Sequence, residues 1–204
     1  MTHTLHRRGN AQSLSEDYVF IMIQAVGHNE AGNIPKVQQF LRMALKHKPT
    51  NIGSITGGGQ MDKTEEVIAN AQKIGHAVFD NPEAVSDFLK DLKEADLGLS
   101  VVVSGIFENV DKCIGKAGLK HHTANFSLGT YGKTEKLPPY EILEVATMCG
   151  HALIAANLVR AMVDDIKGGR KTPEQAAKLL APNCACGVFN IARAAKLLAA
   201  MAKK

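Results

Sequence analysis

Cys149, Cys184 and Cys186 are the residues whose type and spacing best suit chemistry. Cys184 and Cys186 stand in Pro182-Asn183-Cys184-Ala185-Cys186-Gly187, a short loop between two helical patterns. Cys149 stands in Thr147-Met148-Cys149-Gly150-His151, 35 residues earlier. Thiolates are soft ligands that select zinc and iron–sulfur clusters. Three thiols without an obvious fourth match a [4Fe–4S] cluster with one open iron, able to act as a Lewis acid on a small-molecule substrate. Failing that, they match zinc. Substrate, water or a histidine such as His151 would complete the open position. Gly150 and Gly187, beside the thiols, let backbone come close to a cofactor. The reaction class expected of such a site is redox or lyase chemistry.

Two other functional readings stay open. One is a metal-free thiol enzyme with Cys149 as the activated residue. The other is a non-enzymatic metabolite- or partner-binding protein whose cysteine loop is closed by structural zinc. A plainer reading is core packing, since free cysteine is among the most buried residue types. That reading suits Cys113, which shares an apolar helical face with Ile106, Val110 and Ile114.

Positions two apart on a helix differ by about 200°, so Cys149 and His151 diverge on an unbroken helix. They can face one site only if a helix breaks or starts at Gly150. A start there would put Cys149 at a helix N-terminus, where thiol pKa is depressed. The seven residues Met148-Cys149-Gly150-His151-Ala152-Leu153-Ile154 resemble the segment around a catalytic cysteine in proline racemases, which abstract an α-proton with paired thiols. The likeness implies helix-start geometry at Gly150, not membership. The chain lacks that family's length and its second thiol motif.

Other candidates are weaker. His3 and His6, with Arg7 and Arg8, lie on an N-terminal arm of the kind that is usually mobile and solvated. Thr56-Gly57-Gly58-Gly59-Gln60 sits where a phosphate loop would, but no Gly-Lys-Ser/Thr follows, so a hairpin or flexible loop is expected. Ser104-Gly105 opens a helix at a strand end, where layered sheets hold ligands. His121 and His122 read as surface or satisfied core. Glu141, Glu144, Asp164 and Asp165 read as the solvated face of a helix.

The elements that must position these residues follow from periodicity. Strands are expected over 18–26, 51–55, 76–79, 97–103 and 122–128. Helices are expected from Asn33 to about His47, from a capping box at Asp62 and Glu65, from Asn81 to about Ala95, and over 106–117. No strand pattern follows Lys136-Leu137-Pro138-Pro139. Residues 140–167 form one long helix or two abutting ones. Thr172 opens a helix with a capping box, and Asn190 caps the last. The fold class is therefore α/β, with α+β as the variant: a layered sheet of about five strands and flanking helices. An α/β body with a polar arm covers 1–136, and an all-helical region carrying the cysteines covers 137–204.

Bulk properties bound the function. Of 204 residues, 45% are hydrophobic and 22% charged, the balance of a globular chain rather than a disordered one. The net charge is +4 and the basic residues are dispersed, so no nucleic-acid partner is expected. No run approaches the ~20 apolar residues of a membrane span, so no membrane partner is expected. No secretory signal is recognised, which points to a cytoplasmic setting with reduced thiols. A homo-oligomer stays open, because the apolar 192–202 segment could pack on its own body or on a second subunit.

Overall fold

The computed structural model describes residues 2–59 and 61–204; Met1, in the arm, and Gln60, at the end of the glycine-rich loop, lie outside them. Four strands form one antiparallel sheet in the order β2-β3-β1-β4: β1 Tyr18–Ile23, β2 Asn51–Gly53, β3 Ile74–Phe79 and β4 Ser100–Ser104. The helices are α1 Ala11–Leu14, α2 Asn33–Lys46, α3 Thr64–Asn70, α4 Pro82–Ala95, α5 Phe107–Lys116, α6 Tyr140–Ala146, α7 Ala156–Lys167, α8 Pro173–Leu180 and α9 Ile191–Ala202. β1 and β2 run the same way with β3 between them; β3 and β4 run the same way with β1 between them. This is two interleaved split β-α-β units.

β1 is the central strand and is buried on both faces, which is why its sequence is continuously apolar rather than alternating. Tyr18, Phe20 and Met22 join Ala77 and Phe79 in a core shared with α2 and α4, including Phe40, Leu41 and Phe88. Val19 and Ile21 point the other way, with Ile74 and Val78 of β3, into a second core. The C-terminal helices fill that second core with Val145, Val159, Ala177, Leu180, Phe189 and Leu198. The sheet is thus covered on one face by helices of the body and on the other by the helical region.

Several local expectations hold for physical reasons in the sequence. Asn81 caps α4, accepting from the Ala84 amide at 2.8 Å, with Pro82 in the first turn. Thr172 and Gln175 form a reciprocal capping box on α8. Asn190 caps α9, accepting from the Arg193 amide at 2.9 Å. Each such cap satisfies amides that the first turn cannot pair internally.

Others are corrected. The sheet has four strands, not five: 122–128 is an irregular, exposed segment with no strand partner. Its alternating pattern has no apolar face to bury, since Phe126 and Leu128 are both exposed. The Asp62–Glu65 box is absent: a short 3-10 turn at Met61–Lys63 precedes α3, whose N-cap, Lys63, makes no side-chain cap. Residues 140–167 form two helices, α6 and α7, separated by turns at 147–155. Glu144 is buried rather than on a solvated face.

Candidate functional site

Four separate segments meet on the helical side of the sheet. The first is the run of turns after α6. The amides of Met148 and Cys149 bond back to the carbonyls of Val145 and Ala146, and the Ala152 amide bonds to the Cys149 carbonyl at 3.0 Å. Ala152 is left-handed, with φ 56°, so the chain cannot continue as a helix there. α6 has already ended at Ala146 and α7 begins only at Ala156, so Gly150 lies in a run of turns and starts no helix. Cys149 is not at a helix N-terminus, correcting the geometry implied by the proline racemase likeness. The break frees Cys149 and His151 from diverging, and both reach the same place.

The second segment is the cysteine loop. The Gly187 amide bonds to the Cys184 carbonyl at 2.9 Å, closing a turn around Ala185 and Cys186. Gly187 has φ +72°, and a Cβ there would stand 2.6 Å from both the Gly53 Cα and the Ile52 carbonyl oxygen. It would also stand 2.9 Å from the Gly59 Cα. Gly53, Gly59 and Gly187 thus let three backbones touch, which seats the loop on the end of β2. The glycine-rich loop singled out in the sequence serves this packing, with Ser54 and Gly58 bridging as a tight turn.

The third segment is the arm. Arg7 donates to both carboxylate oxygens of Asp17 at 2.7 and 2.8 Å, and to the carbonyls of Met148 and Val188. Arg193 of α9 donates to the same carboxylate at 3.0 Å. The Asp17 side chain is fully buried, and those of Arg7 and Arg193 nearly so. The described part of the arm is therefore packed against the fold rather than solvated throughout. A buried carboxylate with two guanidiniums supplies the pairing that burying any one of these charges requires. Gly150 lets the His3 backbone close in: a Cβ at Gly150 would lie 1.5 Å from the His3 carbonyl oxygen. His6, by contrast, is exposed and bonds to Ser127 Oγ at 2.9 Å, away from the thiols.

The fourth segment is β3, which contributes His76. Its partner across the sheet is Ile21, and it points into the same core as Ile74 and Val78.

The three thiols and three of the imidazoles form one cluster. Cys184 Sγ and Cys186 Sγ are 3.9 Å apart, and Cys186 Sγ is 3.7 Å from His151 Nδ1. Cys149 hydrogen-bonds to Cys184 through its thiol. His3 stacks on His151 with ring centroids 4.7 Å apart and 23° between planes. His76 meets His3 edge-on at 5.8 Å. Cys149, Cys184 and Cys186 are all buried, while His151 is exposed. The stack therefore runs from solvent at His151 to the core at His76.

The thiols differ in acidity. The hydrogen bond from Cys184 lowers the Cys186 thiol below its usual value, and burial opposes this only in part. For Cys184 the bond from Cys149 lowers the pKa, but the bond to Cys186 and burial outweigh it, leaving a thiol pushed up to about 11. Cys149 donates to Cys184, is buried, and is pushed up further. The proton-donating order is thus Cys149 to Cys184 to Cys186. The thiol prepared to ionise is Cys186, not Cys149.

His76 is the outlying polar group. It has no exposed surface, and neither ring nitrogen has a hydrogen-bond partner of good geometry. The carbonyls of Gly53 and Cys186 lie near enough to favour a charged ring. Burial dominates, and with His3 nearby it pushes the pKa down to about 3. The His3 Nε2 atom is likewise buried without a partner, and burial, then nearby positive charge including Arg7, lowers its pKa. Cys113 lies elsewhere, buried against α4 with Sγ 3.5 Å from the Pro82 carbonyl, as core packing requires.

Sequence reasoning missed His76 and the Arg7–Asp17–Arg193 network. A signal for His76 existed: it is the one polar side chain in Ile74-Gly75-His76-Ala77-Val78-Phe79. Among the described residues, no three of His, Cys, Asp and Glu already stand as a group that could hold a metal ion. No helix among them is long and apolar enough to cross a membrane. No family model matches this chain, and neither curated proteins nor solved structures give a match.

Proposed function

We propose that this chain is a cysteine-ligated metal protein of a reducing compartment, with Cys149, Cys184 and Cys186 as ligands. It would act on a small molecule by redox or lyase-type chemistry. The observation that carries the reading is convergence. Three buried thiols and three imidazoles, carried on four distant segments, meet in one place that runs from solvent to core, and the buried ring nitrogens of His3 and His76 have no protein partner of good geometry. Native proteins seldom leave buried polar atoms unpaired, and an ion is one of the few things that satisfies several donors at once.

The donor chemistry fits zinc or an iron–sulfur cluster. The 3.9 Å between Cys184 and Cys186 sulfurs is close to the edge of a tetrahedral zinc site, about 3.8 Å for Zn–S bonds of about 2.3 Å. In a [4Fe–4S] cluster each thiolate takes its own iron and the sulfurs stand farther apart. The spacing therefore favours a single ion, and because zinc has no redox chemistry, that ion favours the lyase-type reaction. Binding would draw Cys149 and its neighbours inward, as metal sites commonly form only when loaded. His151, solvent-exposed beside Cys186, is the group placed to exchange protons with an incoming molecule.

One observation favours a metal-free thiol enzyme instead: the lowered pKa of Cys186. On that reading the reactive residue is Cys186.

The test is anaerobic purification with elemental analysis, acid-labile sulfide assay and visible absorption, on the native protein and on the Cys184→Ser/Cys186→Ser variant. Stoichiometric zinc, or iron with matching sulfide, that is lost in the variant supports the reading. Metal content unchanged by the double substitution sinks it.

A further inference from the structure

We infer that His76 is a metal ligand of the thiol site, supplying the nitrogen that the three cysteines lack. The inference rests on the metal reading above and deepens it. His76 is held on the central part of the sheet by pairing with Ile21 on β1 and Gly53 on β2. Its ring is fully buried, and neither nitrogen has a hydrogen-bond partner of good geometry, although the carbonyls of Gly53 and Cys186 approach it.

A histidine placed in a core only for packing has little physical reason to persist there. A neutral imidazole carries one donor and one acceptor, and each left unpaired carries a desolvation penalty. Leucine would fill similar space without that cost. The side chains of Ile74, Val78 and Ile21 in the same core offer it no polar partner, and the Gly53 and Cys186 carbonyls near it could accept from only the one N–H of a neutral ring. What does lie beside it is the cysteine loop, whose Cys186 carbonyl approaches the ring, and His3, 5.8 Å away between centroids.

The ligand class is a borderline divalent ion, zinc foremost, because a mixed sulfur and imidazole set suits it. With Cys149, Cys184 and Cys186, His76 would close the resting coordination sphere. Chemistry on a small molecule would then require one ligand to leave.

The test uses the full-length protein and the His76→Leu variant. Zinc affinity is measured by competition with a chromophoric chelator, thermal stability with and without zinc, and the coordination shell by X-ray absorption. The expected result has three parts. Zinc binds the variant more than about 100-fold more weakly, beyond the 10–100-fold typical of outer-shell changes. The metal-free variant melts higher than the metal-free native protein, because an unpaired polar ring is gone. Imidazole scattering is present in the native protein, survives His3→Gln and His151→Gln, and disappears in His76→Leu.

A native zinc shell of sulfur without imidazole overturns the inference without any variant, and leaves the thiol-ligated reading standing. So does a His76→Leu protein that binds zinc as tightly as the native one. A native protein that takes up neither zinc nor iron overturns both.

Discussion

The Arg7 guanidinium grips both carboxylate oxygens of Asp17, at 2.7 and 2.8 Å, and with its other terminal nitrogen holds the carbonyls of Met148 and Val188. Those carbonyls belong to the residue before Cys149 and to the second residue after Cys186. One side chain of the N-terminal arm therefore joins the two thiol-bearing segments to the start of the central strand. Replacing Asp17 with Asn would leave Arg7 and Arg193 buried without their counter-charge. Breaking a buried pair from one side costs about 3–5 kcal/mol. The expected outcome is a loss of that size in urea denaturation for Asp17→Asn. A loss under about 1 kcal/mol would show that the network is not energetically coupled.

Two glycines should respond differently to alanine. Gly187→Ala combines a φ of +72° with contacts of 2.6 Å on the Ile52 and Gly53 backbone. Neither side can yield cheaply, so a loss on the order of 3 kcal/mol is expected. Gly150→Ala meets the His3 carbonyl at 1.5 Å, and the arm is the part that can move. Thermal melts should show Gly187→Ala as the more damaging change. Amide exchange over residues 2–8 should rise in Gly150→Ala. Unchanged protection of the arm would refute this close approach.

Acidification of the metal-free protein should cost stability through the imidazoles. The folded pKa of His76 lies at about 3, below the ordinary imidazole value of 6.5. Between those values the unfolded chain binds a proton that the folded chain does not, so stability rises with pH there. The contribution is complete above pH 6.5 and is lost progressively as pH falls toward 3, on the order of a few kcal/mol. His3, also lowered, adds in the same direction. Urea midpoints measured at pH 7 and pH 4 should fall less in His76→Leu than in the native protein. Equal falls would mean the buried ring does not titrate as described.

Alkylation should rank the thiols. Cys186 is lowered, Cys184 stands at about 11, and Cys149 is raised further. The thiolate is the reacting form. Limited labelling of the metal-free protein at pH 8, read by peptide fragmentation, should find Cys186 first and Cys149 last. All three are buried, so rates will be slow and the order is what matters. Cys149 labelled first would restore it as the activated residue.

Local chemistry in the sequence decided much of this molecule. The uninterrupted apolar run at β1 marked a strand buried on both faces. Asn81, Thr172 and Asn190 marked helix starts, because a cap acts within four residues. The Pro182–Gly187 segment marked a loop that gathers two thiols. Register and convergence belong to the tertiary structure. The alternation at 122–128 reads as a strand, yet a strand needs a partner and a face to bury, and this segment has neither. His151 reaches the thiols only because α6 ends before Gly150. Arg7 is a structural residue only because Asp17 and Arg193, far away in sequence, are buried beside it. His76 meets the cysteine loop only because β3 lies between β1 and β2 with that residue facing the helical side. Such meetings are set by strand order and layer packing, which no spacing along the chain encodes.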